Sequence, residues 1–195
     1  MREKKVDRRV KYTKTVLKES FIKLLEKKDI SQITIKEICE EADINRATFY
    51  AHYNDQYDLL RKIENELLDN INFHLAEYDQ QNNNVNIVIT TEKIFEYLRE
   101  NARVYKLLLN EHGDFSFQKK LMMLVYDKII TEITDNNNIT KEAAEYVYSF
   151  TITGIIGVVQ KWFDDDMEKS SHFMAEMVIK LTLGLISLLK SWKQI

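Results

Sequence analysis

A chain of 195 residues with no proline and only four glycines has few places to turn sharply. Average usage would supply roughly ten prolines over such a length. Proline breaks helix interiors, and sheet proteins need turn residues, so the deficit predicts an all-α fold. The length suits one domain, or two small ones sharing an element. The single cysteine, Cys39, has no internal disulfide partner, which agrees with a reducing, cytoplasmic setting. The opening "MREKKVDRRVKYTK" lacks the apolar centre of a secretory signal. No run of ~18 apolar residues is apparent, so no membrane span is expected.

Charge is unevenly spread. Residues 1–54 hold thirteen Lys and Arg against nine Asp and Glu, whereas the chain as a whole has a net charge of −3. Eight of those basic residues lie in the first eighteen. A basic head on an acidic body suits contact with a polyanion, and it equally suits a solvated leader.

Hydrophobic spacing predicts a first helix over about 13–28, with Leu17, Phe21, Leu24 and Leu25 on one face. "TIKE" (34–37) is a capping box that opens a second helix of about nine residues, ending near Asp43. Asn45 caps a third, ending around Tyr53, and Asp55 caps a long fourth that reaches about Asp79. After the polar linker "DQQNNNVN", helices are expected at about 87–100, 102–111, 116–134, 140–163 and 170–192.

The two short helices joined by a three-residue turn form a helix-turn-helix arrangement. On the third helix, Ile44, Phe49 and Tyr53 share one face, while Arg46, Ala47, Tyr50 and Ala51 share the other. Phe49 and Tyr53 are therefore assigned to the core, and Tyr50 points outward. Small Ala47 would let the helix approach a groove floor. Arg46 can reach a guanine edge, and Asn45 or Thr48 a phosphate or base. Tyr50 and His52 can donate to phosphate oxygens, and Lys36 adds a cation at the start of the second helix.

Residues 13–60, through "FIKLLEKKDISQITIKEICEEADINRATFYAHYNDQYDLL", resemble the DNA-binding domain of the TetR family of bacterial transcription regulators. The "TFYAHY" run is similar to that family's recognition helix. "NRATFYAHYNDQYDLL", "YKLLL" and "SFTITGIIGVVQKWF" further resemble a subgroup that includes activator-like proteins of dihydroxyacetone metabolism. The resemblance implies a double-stranded DNA operator, a homodimer and a small-molecule effector, with no cofactor. Many family members carry a phosphate-contacting lysine where this chain has Gln56. Glutamine releases no counterion, so a shallower salt dependence is expected unless the basic leader compensates.

These readings divide the chain into a DNA-binding domain (1–54) and a ligand-sensing and dimerisation domain (55–195). The aromatic and Met-rich later region could line an apolar pocket or simply form core. Met122, Met123, Tyr126, Tyr146 and Phe150 are the pocket candidates. The last two helices are apolar on more than one side, and Gly154 permits close approach. Gly154, Val158, Trp162, Leu181 and Leu185 are assigned to a four-helix dimer interface.

No enzyme is expected. His52 has no nucleophile near it in sequence, "EHGD" (111–114) reads as a helix stop, and "DDDMEK" lacks the spacing of a calcium loop. Cys39 falls on the inner stripe of the second helix. The expected function is a homodimeric regulator on a pseudo-palindromic operator, switched by a ligand that changes half-site separation. The alternative is a helical co-regulator that responds to a partner protein.

Overall fold

The computed structural model describes residues 2–80, 87–109, 115–137 and 140–191. Among these residues the regular structure is helical: α1 (Arg2–Leu25), α2 (Ile35–Ala42), α3 (Arg46–Tyr50), α4 (Gln56–Gln80), α5 (Ile87–Glu100), α6 (Ala102–Leu109), α7 (Phe115–Asn137), α8 (Lys141–Asp164) and α9 (Ser171–Ser191), with one 3₁₀ turn at Ile30–Gln32. The linker over 81–86 and the "HGD" stop at 112–114 lie outside the described residues.

The main departure from the predicted elements is α1, which begins at Arg2 rather than Thr13. The basic leader is a helical extension, not an unstructured tail. It contains no Gly or Pro and is rich in Arg and Lys, both good helix formers. Val10 and Thr13 are half-buried and lead into buried Leu17, so a thin inner stripe continues upstream. At the other end, α3 stops at Tyr50 with Ala51 as its cap.

The chain forms two compact units, Met1–Leu67 and Leu68–Ile195, which part within α4 rather than at its start. In the first unit Leu17, Phe21, Ile38, Phe49, Leu59 and Leu67 are buried. Burial raises the Cys39 thiol pKa, so this cysteine packs as an unreactive small apolar group.

In the second unit α5 packs along α9 and α7 along α8. Ile130, Ala144, Val147, Tyr148, Ile152 and Ile156 form a buried cluster there. The α8–α9 corner is held by Arg99, which donates to the carbonyls of Met167 (3.1 Å) and Lys169 (2.6 Å). Its guanidinium also sits 5.2 Å from the Trp162 ring centre. Those contacts offset a strained turn in which Asp166 (φ 49°) and Met167 (φ 57°) are both left-handed.

Contrary to the sequence expectation, α9 contains an 18-residue stretch, Ser171–Leu188, with mean hydropathy 1.3, long and apolar enough to cross a membrane. It carries the Glu176–Lys180 ion pair (3.0 Å) midway and packs on α5, which suits a helix of a protein interior or interface.

Candidate nucleic-acid interface and ligand cavity

The first unit positions α2 and α3 through local hydrogen bonds. The Thr34 hydroxyl accepts from the Glu37 N–H (3.3 Å), and the Glu37 carboxylate accepts from the Thr34 N–H (2.9 Å), completing the capping box. Glu37 also receives Lys28 Nζ at 2.6 Å, tying α2 to the turn that follows α1. The Lys28 hydrogen bond and then those from Thr34 hold the Glu37 pKa down at about 2.

The turn into α3 passes through Asp43, whose φ of 51° is left-handed. Asn45 Oδ1 then accepts from the Thr48 N–H (2.8 Å) and hydroxyl (3.0 Å). Asn45 therefore caps the helix, and Thr48 is tied to it. Beyond α3, Lys62 Nζ donates to the His52 carbonyl (2.8 Å) and to Asp58 (3.1 Å), and lies 5.0 Å from the Tyr53 ring centre. The Asn54 N–H and then Lys62 hold the Asp58 pKa below its usual range.

On this frame the two faces of α3 separate as the spacing requires. Phe49 and Tyr53 are buried, while Arg46, Ala47, Tyr50 and Ala51 are exposed. Tyr50 is 57% exposed and stands edge-on to Phe49, ring centres 5.7 Å apart. Lys36, Arg46, Tyr50 and Gln56 come together around one open concavity of about 520 Å³. Lys36, Asn45 and Arg46 also line a second concavity of about 510 Å³. Lys36 pairs with Glu40 at 3.6 Å, which partly offsets its charge.

His52 lies past the helix end, half-buried, with its ring 6.3 Å from that of Tyr53. Ser31 and Thr34 also border the first concavity. Neither is among the residues assigned to it from sequence, where Thr34 is legible only as a cap.

Residues 22–63 match the family described as bacterial regulatory proteins, tetR family. Residues 85–184, more than half of the chain, match the TetR-class family described as transcriptional regulator C-terminal region. The chain belongs to the TetR family.

It is similar over 61 residues, at 44% identity, to an uncharacterized HTH-type transcriptional regulator, YxbF, of Bacillus subtilis (strain 168). That match takes in 31% of this chain and 16% of that protein's length. In fold it resembles a TetR transcriptional regulator from Streptococcus agalactiae 2603V, with TM-score 0.64 and 19% identity over 90% of this chain and 96% of the other. It also resembles the dihydroxyacetone kinase operon activator DhaS, with TM-score 0.60 and 18% identity over 90% and 97%. At such identities the likeness is one of fold, so the narrower subgroup resemblance is carried no further.

TetR family members are transcriptional regulators, a class that binds DNA and typically acts as dimers. The second unit of this chain holds a partly open cavity of about 260 Å³ between helices. The five residues assigned to a pocket from sequence do not line it. Met123, Tyr146 and Phe150 are 67%, 74% and 71% exposed. Met122 and Tyr126 pack instead against the buried cluster, with the Tyr126 hydroxyl on Glu145 at 3.1 Å. The cavity draws on other positions of the later helices, among them Phe95, Leu109, Val125, Ile155 and Val178.

The residues assigned to a dimer interface also divide. Trp162 is buried inside its own subunit, edge-on to Phe95 at 5.4 Å, with its indole N–H donated to the Lys169 carbonyl (2.9 Å). It is a core residue of the α8–α9 corner, not part of an outer face. Leu185 is half-buried and packs against the buried cluster. Gly154 and Leu181 are exposed, and Val158 is half-exposed. Tyr146, Phe150, Gly154 and Val158 follow one another at four-residue steps along α8. The two aromatics thus extend the stripe in which Gly154 lies.

Proposed function

We propose that this TetR regulator binds a pseudo-palindromic duplex operator as a homodimer and that occupancy of its cavity governs that binding. The observation that carries the reading is the convergence of Lys36, Arg46, Tyr50 and Gln56 on one exposed concavity beside α3, whose other face is locked in the core by Phe49 and Tyr53. Arg46 reads a base edge, and Tyr50, Gln56 and Lys36 hold phosphates. Ala47 keeps the helix close to the groove floor. Asn45 and Thr48 serve by capping α3, and His52 by a peripheral phosphate contact.

Homodimerisation rests on the outer apolar stripes of α8 and α9. Phe173, Leu181 and Leu188 are exposed on α9, as Tyr146 and Phe150 are on α8. An added Cβ at Gly154, Gly157 or Gly184 would meet nothing within 4 Å in the subunit, so these glycines leave room for a second chain rather than for a neighbouring helix. A C2 axis would place two α3 helices about 34–36 Å apart, or a multiple of it, in successive major grooves. A ligand that fits one arrangement better shifts the population toward it. The cavity favours a small molecule over a partner protein as the signal.

Selection from random duplex DNA with the purified chain tests the reading. A recovered sequence with twofold symmetry is expected. Recovery of no preferred sequence would refute operator recognition, and an asymmetric site would refute the symmetric dimer.

A further inference from the structure

The chemistry of the cavity wall restricts what could enter. Among the described residues, twenty-one side chains line it: seventeen are Ile, Leu, Val or Phe and four are threonines, and none of these carries a charge. Thr182 donates its hydroxyl to the Val178 carbonyl at 2.9 Å. Thr90, Thr91 and Thr151 bring the other hydroxyls among the described lining residues. Thr90 and Thr151 are themselves buried. A few hydroxyls amid aliphatic wall can orient one hydroxyl or carbonyl, but cannot compensate a buried ion. An apolar void of this kind holds ordered water poorly and takes up apolar molecules instead.

We infer that the cavity takes an uncharged, mainly hydrocarbon molecule bearing at most a hydroxyl, ester or amide group, and discriminates against the carboxylate of the same chain length. This rests on the reading of the cavity as the effector site. The discrimination is a matter of desolvation. An alcohol brings a group that a threonine can satisfy, whereas a carboxylate must leave water without meeting a cation among the described lining residues.

The test uses the full-length protein and the neutral dye Nile red, displaced by 1-decanol or by decanoate at pH 8. Decanol is expected to displace the dye at a concentration at least about tenfold lower than decanoate. Leu183 lines the cavity and is 53% exposed, so Leu183→Arg is compatible with folding and sets a guanidinium at the wall. That variant should gain about tenfold for decanoate and lose the preference for the alcohol. Equal or better displacement by decanoate on the unmodified chain would overturn the inference, as would a preference unchanged by Leu183→Arg. A parallel titration on the selected duplex separates the two claims. Decanol that displaces dye but leaves DNA binding unchanged supports the ligand class and overturns the effector reading. Decanoate that displaces dye equally and releases DNA does the reverse.

Discussion

Phe49 and Tyr50 are adjacent in the chain and have opposite tasks. Phe49 is fully buried between α3 and its neighbours, so Phe49→Ala should destabilise the first unit by about 3–5 kcal/mol, read as a lower denaturation midpoint. Tyr50→Ala should leave that midpoint unchanged and weaken binding to all duplex sequences alike, as loss of a phosphate contact does. Arg46→Ala should instead relax the preference at one base pair, costing about 1–3 kcal/mol there. Equal melting of Phe49→Ala and the parent would show that the two faces are misassigned. This division was legible in the sequence because a helix repeats every three to four residues and the faces of α3 differ in polarity. The tying of Thr48 to Asn45 was not, since hydroxyl orientation is a matter of three-dimensional geometry.

Elements were most legible where caps and stripes coincided. The Thr34–Glu37 box set the start of α2, and its carboxylate gives that element a pH dependence. Glu37 has a folded pKa of about 2 against an ordinary 4.5, so its stabilising contribution is present above about pH 4.5 and is lost as pH falls toward 2. Melting temperatures of the parent and Glu37→Gln should therefore differ at pH 6 and converge between pH 4.5 and 2. A difference that persists undiminished at pH 2 would mean that the carboxylate is not what braces α2. The upstream part of α1 was missed for a physical reason. Upstream of Thr13 the described inner stripe shows Val10, too little to stand out from a run of charges. The five pocket candidates lie away from the cavity because apolar periodicity shows that a residue seeks burial, not whether a neighbouring helix, a cavity or another chain supplies it. Tyr146 and Phe150 read the same in all three cases.

For the whole molecule, the dimer proposal turns on glycines with open space around them. Gly154→Leu should fold normally, because its Cβ meets nothing within 4 Å in the subunit, yet should lose self-association in sedimentation. A Gly154→Leu chain that remains dimeric would place the interface elsewhere. The central claim is that two chains together read one operator. Sedimentation velocity on a fluorescent duplex carrying the selected site, titrated with the full-length chain, tests it most directly. The account predicts saturation at two chains per duplex, with no comparable complex for Gly154→Leu or for Arg46→Ala combined with Tyr50→Ala. Saturation at one chain per duplex, or undiminished binding by the Arg46→Ala, Tyr50→Ala protein, would contradict it.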